Sequence, residues 1–310
     1  MRRPFTSRQY SGVHDLPQMQ GLLMDARSRA DEWRYWHIGD LMWAFFLVTC
    51  HLEPQEHIRL WHDEHGMLAG FALLGEDPSF ECQVLPAYAW SGIELEALAW
   101  AESRRAELAA GDARGWGGTL MSAARQDDAP RIAFLEQHGF RRGDHVEVTL
   151  SCSLAEPLPD TAIPAGCQIR AVAESGETSQ RAGIEREVWQ AYPVGNISDD
   201  DYARLMRLPG YRRELDVIAV APEGVIAAYA NGWTDPVNHI GDFGPVGARE
   251  AYRRRGMTRA VLVESMRRMR GLGMNRVCVS TGESNIPARR LYESLGFTVV
   301  SRYLEYVKGA

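Results

Sequence analysis

The spacing of apolar residues predicts that the second half of the chain alternates strands with helices. Short apolar runs indicate strands, and apolar residues three and four apart indicate helices. The predicted strands are "CQIRAV", the hairpin "LDVIAVAPEGVIAAYANGW", "HIGDFGPVGA", "NRVCVSTG" and "FTVVSRYLEYV"; the predicted helices are Glu177–Gln190, one that begins at Gly256 and one from about Asn285. This order indicates a mixed α/β fold with a central sheet.

Gly244-Pro245 interrupts one predicted strand, because this pair favours a bulge or bend over regular pairing. The helix that Gly256 opens follows this strand and leads to "NRVCVSTG", so these segments form a strand, helix, strand unit. A ligand of such a unit lies at the carboxyl ends of its strands.

The chain reads as two copies of one pattern, joined by a proline-rich connector, "AEPLPDTAIPAG". Asp127–Phe140 aligns without gaps with Ser284–Phe297, and Pro86–Leu98 aligns with Glu250–Leu262. We therefore predict domains at 1–154 and 167–310, with a linker at 155–166. The longest apolar run, Leu41–Cys50, is too short to span a bilayer and predicts a buried helix.

The composition excludes several classes of protein. The 310 residues are 45% apolar and carry a net charge of −7, which argues against a general nucleic-acid binder. The N-terminal residues lack the apolar segment of a secretory signal, and the five cysteines are scattered without a C-x-x-C pair. We expect a cytoplasmic protein with no metal site and no membrane partner; His62 and His65 fit an exposed turn better than a zinc site.

Positive charge is concentrated where the Gly256 helix begins. Arg253, Arg254 and Arg255 precede a glycine, and a helix start adds unpaired N–H groups and the positive end of the helix dipole. Such a segment favours a phosphate-bearing ligand, although Arg254 and Arg255 also fit a solvated turn. A dinucleotide-binding G-x-G-x-x-G segment is absent.

These motifs resemble the acetyl-CoA signature of the GNAT N-acetyltransferases. The resemblance rests on Arg253-x-x-Gly256-x-Thr258, on "V-x-V-x-T", and on the segment from Asn285 through Ala288 to "LYESLGF", and it covers about residues 167–308. It implies two tandem GNAT-like domains, each a mostly antiparallel sheet flanked by helices with a strand, helix, strand unit for acetyl-CoA. The family pattern usually has Gly or Ala where this chain has Thr258.

The resemblance implies acetyl-CoA as co-substrate and assigns its contacts. The implied contacts are Val246, Gly247 and Ala248 at the thioester carbonyl, and Arg253, Arg254, Arg255, Gly256, Met257, Thr258, Asn285 and Ala288 along the rest of the molecule. The resemblance also makes Tyr292 the general acid. A phenol with a reference pKa of about 10 can protonate a departing thiolate, although a lone tyrosine in a helix is often only a core residue.

An amine acceptor must also lose a proton, because an alkylamine of pKa about 10.4 is almost fully protonated at neutral pH. Asp242, Glu214 and Asp235 are candidates for the base, although none has a distinguishing motif and each also fits a solvated or hydrogen-bonded surface acid. Asp242 is placed first because it lies in the strand before the predicted bulge. The acceptor pocket is expected among the first helices and the hairpin of the second half. The aromatic residues there could face an acceptor, although ordinary core packing explains many of them equally well: Trp189, Tyr192, Tyr202, Tyr211 and Trp233.

The first half lacks the residues that carry this chemistry. Its aligned positions are Ala89 for Arg253, Glu94 for Thr258, Asp128 for Asn285 and Leu135 for Tyr292. We predict a degenerate first domain that shapes the acceptor cleft, and a second domain that moves an acetyl group to a primary amine of a small molecule or peptide. The alternative is a non-catalytic acyl-CoA sensor or scaffold. Either would be a monomer or homodimer.

Overall fold

A computed structural model describes residues 5–75, 77–109, 118–173, 176–191 and 193–309. The helices are α1 (Leu16–Arg29), α2 (Ile38–His51), α3 (Pro54–His57), α4 (Ile93–Ala109), α5 (Ala129–Gln137), α6 (Thr178–Val188), α7 (Asp199–Leu205), α8 (Met257–Gly271) and α9 (Ile286–Glu293). The strands are β1 (Thr6–Gln9), β2 (Ile58–His62), β3 (Leu68–Leu74), β4 (Phe80–Val84), β5 (Leu120–Arg125), β6 (Arg141–Ser153), β7 (Gln168–Ala171), β8 (Asp216–Val220), β9 (Ile226–Asp235), β10 (Ile240–Ala248), β11 (Arg276–Gly282) and β12 (Thr298–Lys308).

The strands form two sheets. One has the order β1-β2-β3-β4, and the other has the order β5-β12-β6-β11-β10-β9-β8-β7. Pairing is antiparallel at every junction of these sheets except between β10 and β11, which run parallel and are connected by α8. The predicted fold class is confirmed: mostly antiparallel sheets flanked by helices. The strand, helix, strand unit of the second half is β10-α8-β11, and in the first half β4 and β5 flank α4 and meet in a parallel bridge between Ser79 and Met121.

The two halves exchange their last strands. β6, the last strand of the first half, lies between β11 and β12 of the second half, and β12 lies between β5 and β6. Each half therefore completes its sheet with a strand from the other. The connector at 155–166 separates the halves along the chain, but the large sheet continues across both, and the proposed domain boundaries stay a prediction.

The repeat seen in the sequence extends to the backbone. Trp90 and Arg254, which are aligned, both have φ of 62°, and the aligned Gly92 and Gly256 also have positive φ. Each loop leads into a long helix, α4 in the first half and α8 in the second. Asp128 and Asn285, also aligned, each cap the helix that follows with a side-chain oxygen. The two halves thus use the same local geometry with different side chains.

The apolar run Leu41–Cys50 lies in α2, as predicted, and the apolar residues from Leu41 to Phe46 that face the core are almost fully buried. α2 belongs to the first half, yet its first turn packs on β9 and β10 of the second, where His37 Nε2 lies 3.2 Å from the carbonyl oxygen of Ile240. The two halves therefore share one packed interface. Among the described residues, no helix has the length and apolar character needed to cross a membrane.

Candidate active site

β10 and β11 separate at the predicted bend. They pair from Ile240 to Phe243, and β10 then shifts its register against β9 so that pairing with β9 resumes at Val246. Trp233 fixes the bend by donating from Nε1 to the carbonyl oxygen of Gly244 at 2.7 Å. The result is a gap between two parallel strands directly after Phe243.

Main-chain donors point into this gap. Arg249 N–H donates to Ala227 of β9, so the alternation of antiparallel pairing turns the N–H groups of Val246 and Ala248 away from β9 and toward the gap. Gly247 is required between them, because a Cβ there would lie 2.7 Å from the ring of Tyr229. The segment predicted to hold a carbonyl oxygen thus has free donors in the described part of the chain.

The loop before α8 has the charge and conformation that the sequence predicts. Arg253, Arg254 and Arg255 are all exposed and form no ion pair with a described residue. Arg253 Nε donates weakly to the carbonyl oxygen of Ala248 at 3.3 Å, and Arg255 lies over the ring of Tyr252. Three cations therefore surround the start of a helix.

The start of α8 leaves main-chain donors free. The first helical hydrogen bond runs from Ala260 N–H to Gly256, so the N–H groups of Met257 and Thr258 precede it, and no side chain caps the helix. The Met257 side chain is buried in the core, whereas Thr258 is partly exposed. These free donors and the three arginines fit the pyrophosphate of CoA.

Asn285 and Ala288 lie at the start of α9. Asn285 Oδ1 accepts from Ala288 N–H at 3.4 Å, and its Nδ2 donates to Thr281 at 3.3 Å. This cap explains why the sequence has asparagine here, as it explains Asp128 in the first half. The predicted contact of Asn285 and Ala288 with a cofactor is a separate matter and stays a prediction.

Tyr292 lies on α9 and is 5% exposed. Its ring packs against Phe297 with the ring centroids 5.9 Å apart, and burial, with a smaller contribution from the charge of Asp242, raises the pKa of its phenol. The phenol is therefore protonated at neutral pH. Both the core role and the acid role considered from the sequence are compatible with this position.

Asp242 lies on β10 immediately before the last paired residue, Phe243. The Cys278 thiol lies 3.3 Å from its Oδ1, and His37 Nδ1 lies 3.8 Å from its Oδ2. A Cβ on Gly244 would lie 3.8 Å from Oδ2, which places the carboxyl beside the bend. Burial, and next the nearby charge of Asp40, raise the pKa of Asp242 well above its ordinary value.

The other two candidate bases have different environments. Asp235 is fully buried, accepts from the N–H groups of Val237 and Asn238 in the turn after β9, and lies 3.6 Å from Arg27. Glu214 pairs with Arg212 at 2.9 Å and is about half exposed. Neither lines the cavity that Asp242 reaches. The geometry thus favours Asp242 among the three.

A cavity of about 320 Å³ lies between the two halves. Its floor is the face of the large sheet from β10 to β5, including Asp242, Ser280, Thr149, Glu147 and Tyr303. Its roof comes from the first half, mainly from the segment 33–37, α2 and β4. Since Asp242 lines it and also flanks the bend in β10, the cavity opens beside the gap.

The aromatic residues of this cavity are not the predicted ones. Tyr202 and Tyr211 donate to Asp216 instead, at 2.6 and 2.9 Å, and Trp233 is completely buried. Trp189 donates to Tyr229, and Tyr192 lies outside the described residues. None of the described residues of that set lines this cavity, which fits the interpretation of these aromatic residues as core packing, and their role in an acceptor pocket stays a prediction. The aromatic residues that do line the cavity are Trp33, Tyr35, Trp36, Phe80 and Tyr303.

In the first half, Glu94 lies in the first turn of α4, directly after the loop that corresponds to the arginine loop. Its Oε1 accepts from Trp90 N–H at 2.8 Å, so the carboxylate takes a main-chain donor of that loop. The side chain is 9% exposed, and burial raises its pKa. An ionised carboxylate at this position would repel a phosphate group, which is the effect expected from the sequence.

Comparison with known proteins agrees with this geometry. Residues 182–297 match the acetyltransferase (GNAT) family. A mycothiol acetyltransferase from Kineococcus radiotolerans is 26% identical over 261 residues, which is 79% of this chain and 80% of that protein. A mycothiol acetyltransferase from Thermomonospora curvata is 29% identical and covers 76% of this chain and 77% of its own length.

Solved structures show the same fold over almost the whole chain. A GCN5-related N-acetyltransferase from Sphaerobacter thermophilus superposes with a TM-score of 0.67 at 22% identity, covering 100% of this chain and 96% of that one. A tandem GNAT protein from the clavulanic acid biosynthesis pathway superposes with a TM-score of 0.61 at 17% identity, covering 98% of both chains. The tandem arrangement inferred from the repeat is confirmed.

Proposed function

Since the chain is a tandem GNAT acetyltransferase, we propose that it transfers the acetyl group of acetyl-CoA to a primary amine of a small molecule or peptide. The active site would lie in the second half, where β10 and β11 separate. One observation carries this proposal: Asp242 belongs both to the wall of the cavity between the halves and to the edge of the gap. An amine in the cavity could thus meet a thioester in the gap.

Acetyl-CoA would supply an activated acetyl group as a thioester. The residues that we propose to hold it are Arg253, with the main-chain N–H groups of Met257 and Thr258, for the pyrophosphate. Arg253 is exposed and Thr258 is partly exposed, and among the described residues no side chain caps the start of α8. Arg254 and Arg255 add to the local positive charge, and neither forms an ion pair with a described residue. A helix start with unpaired N–H groups is a general anion site.

We propose that Val246 and Ala248 orient the carbonyl oxygen. Their N–H groups point into the gap, and main-chain donors fixed in place stabilise negative charge on oxygen without reorganising. The bend that turns them is held by the hydrogen bond from Trp233 to Gly244. A loss of that hydrogen bond would misdirect both donors.

Two groups are proposed to move protons. Tyr292 is protonated at neutral pH because burial raises its pKa, so it can donate to a departing thiolate. Asp242 stands beside the bend and contacts the cavity, so it can accept a proton from the nitrogen of an amine placed there. Because its pKa is raised, Asp242 is a stronger base than an ordinary carboxylate once it is ionised.

The cavity supports an amine of limited size. Its volume of about 320 Å³ lies at the lower end of the range of ordinary ligand pockets, and both halves contribute to its wall. Relatives named mycothiol acetyltransferase make an unacetylated, mycothiol-related amine the first acceptor to test. The aromatic side chains of the segment 33–36 give such an acceptor a surface to pack against.

The test measures CoA release from acetyl-CoA with a panel of amines: glycinamide, n-butylamine, glucosamine and the mycothiol-related amine. We expect release that depends on at least one amine, with the acetylated amine identified by mass spectrometry. If calorimetry shows that acetyl-CoA binds but no amine increases CoA release, the proposal is contradicted. That result would favour the non-catalytic acyl-CoA sensor or scaffold. The variant Thr258→Glu and its control Gln180→Glu test whether the second half holds the cofactor.

A further inference from the structure

Glu147 places a carboxylate of the first half near the gap between β10 and β11 of the second half. It lies on the exchanged strand β6, opposite Gly282 of β11 and Tyr303 of β12. Two residues further along the same face of β6, Thr149 shares a hydrogen bond of 3.0 Å with Ser280. Glu147 is thus one strand away from the gap, on the face that forms the floor of the cavity.

The carboxylate of Glu147 is free within the cavity. In the part of the chain that the structure describes, it forms no hydrogen bond or ion pair, and its side chain is exposed to the cavity. Protein nevertheless surrounds the cavity, and this burial, together with the charge of Asp40, raises the pKa of Glu147 to about 7. Near neutral pH the group therefore exists in both protonation states.

Asp242 has a more enclosed position. It is 5% exposed and covered by the first turn of α2, and its two oxygens face the thiol of Cys278 and the ring of His37. Burial raises its pKa above that of an ordinary carboxyl group, which disfavours the ionised form. An ammonium group entering the cavity can approach Glu147 more freely than Asp242.

We infer that Glu147 takes the proton that the ammonium group of the acceptor must lose before it can attack the thioester. This inference rests on the proposed function. In the step, an N–H bond of the ammonium breaks, its electron pair stays on nitrogen, and the proton binds a carboxylate oxygen of Glu147. Glu147 then releases the proton to water through the cavity. Asp242 remains available for the second proton, which leaves nitrogen as the amide forms.

Other ionisable groups face the same space. Besides Asp242, they are Arg27 of α1, Arg34, Tyr35 and His37 before α2, Asp40 of α2, Glu81 of β4, Arg125 of β5, Asp128 and Arg131 at the start of α5, His145 of β6, Cys278 of β11, and Tyr303 and Glu305 of β12. Arg27 is directed toward Asp235, and Glu81 pairs with Arg131. Asp40 accepts from His37 N–H at 2.8 Å in the capping box of α2. Glu147 therefore differs from these three in having no hydrogen-bond or ion-pair partner among the described residues.

The test compares Glu147→Gln with Glu283→Gln. Glu283 follows β11, carries the same charge and pairs with Arg302 at the surface, so the control loses only an exposed ion pair. With the wild type and both variants, kcat/KM is measured from pH 5.5 to 9.5 for the amines of the panel that the wild type acetylates. Within this panel, n-butylamine is the strongly basic amine and glycinamide the weakly basic one.

We expect Glu147→Gln to lower kcat/KM at pH 7 by about 100-fold for the more basic amine and to remove the rise in kcat/KM near pH 7. The deficit should shrink at pH 9.5 and be smaller for glycinamide, whose amine is already neutral in larger part. Glu283→Gln should keep the wild-type profile, and Glu147→Asp should recover part of the rate.

A Glu147→Gln variant that keeps the wild-type rate and pH profile would overturn the inference. An equal loss at every pH and for every amine would also overturn it, since that pattern indicates a purely structural role. Calorimetric binding of acetyl-CoA shows that the variant is folded. A wild type that acetylates none of the amines would refute the proposed function itself, and Glu147 would then have no proton to accept.

Discussion

Gly39 of the first half packs directly against the carboxyl of Asp242 in the second half. A Cβ at Gly39 would overlap Oδ2 of Asp242 and lie 2.8 Å from the indole of Trp233. The first turn of α2 therefore sets the position of the carboxyl beside the bend. The absence of a side chain at Gly39 is thus a requirement of the site rather than of the helix.

Gly39→Ala should damage activity although alanine favours helices. The added methyl group must displace Asp242 or Trp233, and misplacing a reacting group by about 1 Å can cost on the order of 100-fold in rate. We expect kcat/KM to fall at least tenfold, with acetyl-CoA affinity changed little. Gly21→Ala is the matched control, because a Cβ at Gly21 has no neighbour within 4 Å. It should keep activity and raise the free energy of unfolding by about 0.5–1 kcal/mol.

Thr258→Glu should abolish acetyl-CoA binding without unfolding the protein. It places in the second half the residue that Glu94 supplies in the first, and a carboxylate in the first turn suits the helix dipole but repels a pyrophosphate. Titration calorimetry should give one site per chain in the wild type and none in the variant. Gln180→Glu, in the first turn of α6, adds the same charge elsewhere and should bind normally. A second site in the wild type would show that the first half also binds acetyl-CoA.

Tyr292→Phe should separate binding from turnover. Removing the hydroxyl leaves the ring against Phe297, so we expect acetyl-CoA affinity within about twofold of wild type and kcat lowered by about 10²-fold or more. Tyr10→Phe removes another buried hydroxyl, in the core of the first half, and should leave kcat unchanged. An unchanged kcat for Tyr292→Phe would reduce this residue to a packing role.

Asp242→Asn should change how stability depends on pH. The folded-state pKa of Asp242 is raised, so the wild type loses stability as pH rises from about the ordinary value of 3.8 through the folded-state pKa. Asparagine does not ionise and lacks this loss. Urea unfolding at pH 5 and pH 9 should show a stability advantage for Asp242→Asn that is larger at pH 9. The slope should not vanish, since the pKa of Asp40 is raised as well. A variant less stable than wild type at pH 9 would contradict this account.

Cutting the connector should not separate the halves. Asp160 is fully exposed, so a protease site inserted after it can be cleaved in the folded protein. Because β6 and β12 are exchanged, we expect the two fragments to elute together and to keep wild-type CoA release. Each fragment expressed alone should aggregate, since it has unpaired strand edges. Fragments that separate on gel filtration would show that the exchanged pairing is weak.

The sequence predicts the second half well because its signals are local. Bends, helix starts and the spacing around Gly244, Gly256 and Asn285 depend on neighbours in the chain, and the structure has them where they were expected. The repeat predicted the tandem architecture for the same reason. Local patterns also gave the correct buried helix in the first half.

The cavity could not be predicted in this way, because contacts between the halves create it. The predicted aromatic residues Trp189, Tyr202, Tyr211 and Trp233 pack in a core cluster to which both halves contribute. The cavity is lined instead by other residues that are far apart in the chain, such as Trp36 and Asp242. One signal was available: in β6, His145, Glu147, Thr149 and Ser151 alternate with apolar residues, which indicates a strand with one polar face. The sequence does not show that β6 lies between β11 and β12 of the other half, because that position depends on the exchange of strands.

The exchange of β6 and β12 gives the single chain the form of a strand-swapped dimer whose two subunits have been fused. The pseudosymmetric centre lies between β12 and β6, where each half contributes one strand. The first copy has Glu94 where the second has Thr258, but it keeps the last strand on which the sheet of the other copy depends. After such a duplication, the loop residues of the first half can change, whereas its last strand must stay because the second half needs it to complete its sheet.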